Sequence, residues 1–227
     1  MEEETKYIIH TCTKRLWYVY KYLIPSLEQQ NISRNSILVH NDDNNIGPLE
    51  NFVKSANKCV TDGGGVWHLQ DDVIICKDFA EKTCRNDKGI VCGIATEYDR
   101  ERAQHFGHVR LHEMWYSFPC IRIPNDIMKE FAEWYLKYFK NNVVYKHIVR
   151  SGKHDDMVFR MFLESRYKKD ELTITNLRPN IVDHIDWLIG GSTINYHRDK
   201  PIRALYFEDE DLVDELEERL RDGKRVL

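Results

Sequence analysis

A chain of 227 residues that is 42% hydrophobic and 11% aromatic can bury a real core and is no disordered segment. Its formal net charge of −4 does not mark a nucleic-acid binder, although a local basic face stays open. No apolar run approaches a membrane span and the start MEEETK is unlike a signal peptide. Six scattered cysteines without a CxxC pair point to reduced thiols in a cytoplasm.

In chain order, YIIHTC at 7–12 reads as a first buried strand. Residues 14–30 carry Leu16, Val19, Tyr20, Leu23 and Leu27 at helical spacing, and Pro25 should kink or divide that helix. SILVH at 36–40 is a second strand, NDDNNIG at 41–47 a loop, and 49–57 a short helix ahead of a glycine turn. The stretch 63–76, GGGVWHLQDDVIIC, is the one around which the chain is organised. Val66, Trp67 and Leu69 make a strand that stops at Gln70, Asp71 and Asp72, and apolar residues resume at Val73, Ile74 and Ile75. Two acids between apolar runs are costly to bury alone. A metal ion, a cationic partner, or exposure in a polar turn would each keep them. Carboxylate oxygens suit Mg²⁺ or Mn²⁺, and such an ion could in turn hold a diphosphate.

Residues 78–84 can be helical, and GIVCGIA at 89–95 is a further buried strand. Residues 97–117 are charged, histidine-rich and aperiodic, a long loop of the kind that is more often functional than not. FPCIRI at 118–123 returns to strand character, and Pro124 opens a helix with Ile127, Phe131, Trp134 and Tyr138 on one face. A helix at 154–166 begins with acids, and a short strand follows at 172–175. PNIVDHIDWLIGGS at 179–192 is apolar around a histidine, and 208–221 is an acidic amphipathic helix with Leu212, Leu216 and Leu220 in step. Strands alternating with helices predict an α/β fold whose mostly parallel sheet is covered on both faces. Without repeat or linker, residues 1–205 are expected to form one domain, with the C-terminal helix of 206–227 packed on it.

Several residues carry alternatives. Asp71 and Asp72 are a polar turn or a metal site. Asp155 and Asp156 cap a helix start or include a general base, and one carboxylate can do both. His184 is a core histidine or a metal ligand. His105, His108 and His112, with Cys84 and Cys92, lack zinc-site spacing. The triple glycine precedes its strand and has no GK[ST] after it, so it is no phosphate loop. The basic run 146–154 adjoins Asp155 and could meet phosphate.

The order of these pieces, over residues 5–195, resembles a GT-A nucleotide-sugar glycosyltransferase, closest in character to small bacterial or phage members. LQDDV looks like the L-E-D-D-V form of that family's acidic metal motif, with Gln70 in place of an acid. GKHDDMVFRMFL is similar to its later acidic motif, and PNIVDHIDWLIGGS to the stretch that supplies a histidine ligand. The resemblance implies a single Rossmann-like GT-A domain using Mn²⁺ or Mg²⁺, with Asp72 and His184 as metal ligands. It implies Asp71 in support, Gln70 near the ribose, Thr11 and Arg15 of HTCTKR at the nucleotide, and Asp155 or Asp156 as base. It further implies a nucleotide-diphosphate sugar as donor, a UDP-sugar first among them. The acceptor hydroxyl would sit on a glycan, a protein or a modified DNA base, in the cytoplasm (the host's, if phage-encoded). The loop 97–117 would close over both substrates. The alternatives are a nucleotidyltransferase, against which the glycine-free HTCTKR counts, and a non-catalytic nucleotide-sugar-binding module, of which Gln70 would be the sign.

Overall fold

The computed structural model describes residues 6–58, 64–86, 88–95, 118–151, 155–167, 172, 174–190 and 203–224. The predicted loop 97–117, with its three histidines, lies outside the described residues, as do Lys153, His154 and Gly191.

The strands are β1 (Lys6–Cys12), β2 (Ile37–Asp42), β3 (Gly65–Gln70), β4 (Val73–Ile75), β5 (Ile90–Cys92), β6 (Cys120–Pro124), β7 (Ile174–Asn176) and β8 (Val182–His184). Six of them form one sheet in the order β2-β1-β3-β6-β5-β7, and β4 pairs with β8 in a separate ribbon. Within the large sheet only β6 runs against the rest. The fold is therefore α/β with a mostly parallel sheet flanked by helices, as the alternation of strand and helix patterns predicts.

Period-two alternation distributes each central strand between two apolar clusters, one on either face. Tyr7, Ile9, Trp67 and Leu69 join Val19, Leu23 and Leu27 of the first helical run, together with Val213 and Leu216 of the C-terminal helix Glu210–Lys224. Ile8, Val66, Ile121 and Ile123 face the helices Pro48–Ser55, Asn125–Trp134 and Asp155–Arg166. A Cβ on Gly65 would come within 2.7 Å of the Arg122 guanidinium, so a side chain there would have to push that buried group aside.

Two helices depart from the simple 3.6-residue expectation. The stripe foreseen through Ile127, Phe131, Trp134 and Tyr138 holds as far as Trp134, which packs half-buried against the core, but continues through Tyr135 and Phe139 rather than Tyr138, which is 47% exposed. The cause is a π-helical turn at Tyr135–Phe139. Its wider winding brings every fourth residue back to the core side. The first helix contains a similar wide turn at Val19–Leu23, directly before Ile24–Gln29. Pro25 thus falls in the first turn of the following α-helical segment, where its missing N–H matters least.

Candidate functional site

β1 and β3 are parallel neighbours, with His10 opposite Gln70, so whatever follows each strand emerges at the same sheet edge. β1 runs into the 3₁₀ turn Thr13–Arg15, and β3 runs into the Asp71-Asp72 turn. The Cys12 N–H donates to Asp71 Oδ2 at 3.3 Å. Arg15 Nη1 donates to Asp71 Oδ1 at 2.8 Å and to Asp72 Oδ2 at 2.7 Å. Of the three ways to keep two acids among apolar runs, the structure supplies the cationic partner. The residues do form a turn, but it is buried: Asp71 is 6%, Asp72 8% and Arg15 4% exposed.

His184 reaches this turn through backbone register. The ribbon pairs Val73 of β4 with His184 of β8, and the Ile185 N–H donates to the carbonyl of Asp72 at 2.8 Å. His184 Nε2 then lies 3.4 Å from Asp72 Oδ2, and Nδ1 lies 3.4 Å from Asp186 Oδ1. Slipping β8 by one residue would turn His184 to the other face. Fully buried Asp183 guards against that slip. Its Oδ1 accepts from the His184 N–H at 2.8 Å and the Ala204 N–H at 2.6 Å, and its Oδ2 from Arg203 Nε.

The opposite face contributes Asp155, the first residue of its helix, whose Oδ2 accepts from Gln70 Nε2 at 3.5 Å. The site therefore brings together Arg15, Gln70, Asp71, Asp72, Asp155 and His184, drawn from both layers over the sheet. Thr11 is buried beside it, with its hydroxyl 3.2 Å from the Cys12 carbonyl. Asp156 turns back to its own helix, where Oδ1 accepts from the Met157 N–H at 2.7 Å. Lys146, His147 and Arg150 of the predicted basic run are exposed on the short helix Lys146–Ser151.

The charges are far from independent. Burial works to raise the pKa of Asp72, but His184 and then Arg15 outweigh it and hold that carboxylate below the usual range. Burial and the neighbouring charge of Asp72 push Asp71 up, against the pull of Arg15. Burial opposes the charge on Arg15, yet the two acids raise its affinity for the proton further. Asp155 is pushed up to about 7, first by burial and then by the charge of Asp156, with Asp72 adding to it.

These residues fit a divalent ion in two respects. Asp72 Oδ1 is buried and has no hydrogen-bond partner among the described residues, a vacancy that hard-cation coordination would fill. The 3.4 Å between Asp72 Oδ2 and His184 Nε2 is close to the roughly 3 Å that separates adjacent ligands about 2.1 Å from an octahedral ion. Among the described residues, the donors within 4.8 Å of one another as a trio are different ones, Cys76, Asp78 and Asp209. That trio is poorly suited to a metal. Burial and then Asp78 push the Cys76 thiol up to about 12, Lys82 lies 2.9 Å from Asp78, and Lys77 binds Asp209.

Sequence reasoning missed a second buried polar cluster. His10, His40 and His68 stand on β1, β2 and β3, all on the face of the sheet that Phe52 covers. His10 Nε2 and His68 Nδ1 share a hydrogen bond at 2.9 Å, and His40 Nε2 lies 2.9 Å from the Asn51 carbonyl. The remaining ring nitrogens, His10 Nδ1, His40 Nδ1 and His68 Nε2, have no hydrogen-bond partner among the described residues. A histidine in each of YIIHTC, SILVH and VWHLQ was the available signal.

No family model matches the sequence, and no curated protein matches it. Solved structures do. A chain assigned as a glucose-1-phosphate thymidylyltransferase from Bacillus anthracis, in complex with a sucrose, is 10% identical. That match covers 76% of this chain and 87% of the other, with a TM-score of 0.43. The galactosyltransferase LgtC, in complex with donor and acceptor sugar analogs, is 14% identical over 93% of this chain and 95% of its own, with a TM-score of 0.42.

Proposed function

We propose that the chain is a divalent-cation-dependent glycosyltransferase that moves a sugar from a nucleotide-diphosphate donor, a UDP-sugar, to an acceptor hydroxyl. One observation carries the reading. Asp71, Asp72 and His184 meet beyond the carboxyl ends of two adjacent parallel strands, with Asp155 reaching the same place through Gln70. In open α/β sheets that edge is where ligands bind.

Asp72 and His184 would hold Mn²⁺ or Mg²⁺, which when bound supplies Lewis-acid stabilisation of a departing diphosphate. Asp71 fixes the end of β1 through the Cys12 N–H, and so sets the floor on which Thr11 and Arg15 meet the nucleotide. Gln70 orients the ribose while its amide steadies Asp155. Asp155 takes the proton from the acceptor hydroxyl in an inverting transfer. A carboxyl whose pKa is raised to about 7 is part-ionised at neutral pH, close to the optimum for a general base. Asp156 holds the helix start. A nucleotidyltransferase would need a phosphate-gripping glycine loop after β1, and the turn Thr13–Arg15 has no glycine.

The test is release of free nucleotide from a panel of nucleotide sugars, with Mn²⁺ or with chelator, against glycans, proteins and hydroxylated DNA as acceptors. A UDP-sugar should turn over only with the metal. Pyrophosphate release from a nucleoside triphosphate and a sugar phosphate, with no transfer from any nucleotide sugar, would replace this reading by the nucleotidyltransferase one.

A further inference from the structure

We propose that Arg15 is a built-in counter-cation, which occupies the acid pair in place of a divalent ion and yields it when the ion and the donor's diphosphate arrive together. The proposal rests on the transferase reading above, since it concerns the same acids. A single nitrogen, Nη1, bridges Asp71 Oδ1 at 2.8 Å and Asp72 Oδ2 at 2.7 Å. An ion held by Asp72 and His184 would share Asp72 with the guanidinium, and two cations on one buried carboxylate repel, so they compete for it.

Three features make the exchange workable. Two buried acids share the single positive charge of Arg15. A more highly charged cation therefore gains by entering, and Asp72 Oδ1 offers it an oxygen that no described group satisfies. Arg15 ends the turn Thr13–Arg15 directly after β1. Its long side chain can thus swing by rotamer changes while β1 stays in the sheet. The displaced guanidinium also has somewhere to go, because its planar fork matches phosphate oxygens as well as it matches carboxylates. Arg15 thus passes from acids to diphosphate and keeps an anionic partner at either stage. Metal and nucleotide then bind cooperatively, each weakening the hold that opposes the other.

The experiment follows Mn²⁺ binding to the nucleotide-free protein by loss of the free-ion electron paramagnetic resonance signal, in wild type and Arg15→Met. The variant should bind Mn²⁺ about tenfold more tightly than wild type, a typical size for such a coupling. UDP should tighten Mn²⁺ binding in wild type and do so much less in the variant. The variant should also melt lower without metal and recover more on adding Mn²⁺ than wild type gains. Arg15→Gln, which keeps a polar group without the charge, tests the same direction should Arg15→Met fail to fold. If Arg15 is only a structural ion pair, either variant loses melting temperature while its Mn²⁺ affinity stays at or below the wild-type value, and the proposal is overturned. Mn²⁺ binding to neither protein, with or without UDP, would instead remove the metal site and with it the reading on which this one rests.

Discussion

Two polar clusters sit close together, one on β1, β2 and β3 and the other just beyond the ends of β1 and β3, and the protein keeps them in opposite ways. At the carboxyl edge, Asp71, Asp72, Arg15 and His184 are kept by pairing with one another, Arg15 supplying the counter-charge. Further back along the same strands, His10, His40 and His68 stay neutral: burial is the first cause that lowers the proton affinity of each, and His68 is brought down to about 3. Both clusters are packed by the same sheet, so packing does not distinguish them. Of the two, the acid cluster contains opposite charges, and it lies at the carboxyl edge of β1 and β3. Buried polarity with an internal counter-charge fits a site, whereas buried polarity without one costs stability and makes the fold sensitive to acid.

That contrast can be broken at either end. The largest effect is expected from Asp72→Asn, which keeps shape and removes the charge a cation needs. Transfer should fall by about 10³ or more, the loss of several kcal/mol of leaving-group stabilisation, and UDP titrations should lose their Mn²⁺-dependent increment. Unchanged UDP affinity with Mn²⁺ would show the acid pair to be purely structural.

Asp155→Asn comes next, with donor binding retained and transfer reduced by about 10²–10³. Its stability effect has a definite sign. The folded state raises this carboxyl to about 7, so folding favours the protonated form and loses stability as pH rises from about 4 towards 7. The variant, unable to ionise, should melt higher than wild type at pH 8. A lower melting temperature there, with transfer unchanged, would mean that the carboxylate was a cap and nothing more.

The histidine cluster should respond to acid and leave donor binding untouched. Its folded-state pKa values are depressed, so the unfolded chain binds more protons below about 6.5 and stability is lost as pH falls towards 3. His68 alone corresponds to on the order of 4 kcal/mol over that span. Denaturant midpoints should drop steeply from pH 7 to pH 5 in wild type and less steeply in His68→Phe. Parallel pH curves would separate the cluster from the acid sensitivity. The smallest effect belongs to Asp156→Asn, about 0.5 kcal/mol through the helix start, with transfer essentially unchanged. A rate loss as large as that of Asp155→Asn would reverse the roles given to the two acids.

Most of the sheet was legible because β1, β2, β3 and β6 are apolar runs bounded by polar or turn residues, and their helices carry plain periodicity. The strand at β5 is shorter than the run GIVCGIA suggests, and β7 lies two residues further on than its composition does. Long-range pairing was not legible. Val73–Ile75 looked like the resumption of an apolar run, and nothing local says that its partner is Val182–His184. The acids at 71–72 and His184 could be singled out separately, but their meeting is a matter of ribbon register. The role of Asp183 follows from that register and from a clamp to Arg203 and Ala204 that no periodicity announces. The π-helical turns were hidden too, because a one-residue change of winding leaves the same residues in the same order.

The β4–β8 ribbon also fixes the sequence of events in biosynthesis. β1, the first helical run, β2 and β3 leave the ribosome early, so Arg15 and the acid pair are available to one another while much of the chain is still unmade. His184 and its backing segment at Arg203 and Ala204 emerge later. A long loop must close before β8 can dock, which is slow compared with local helix formation. Arg15 is thus the partner that the acid pair can meet before His184 has been made. The contact between Arg15 and the two acids spans elements closer in sequence, whereas the contact of His184 with Asp72 spans more than a hundred residues.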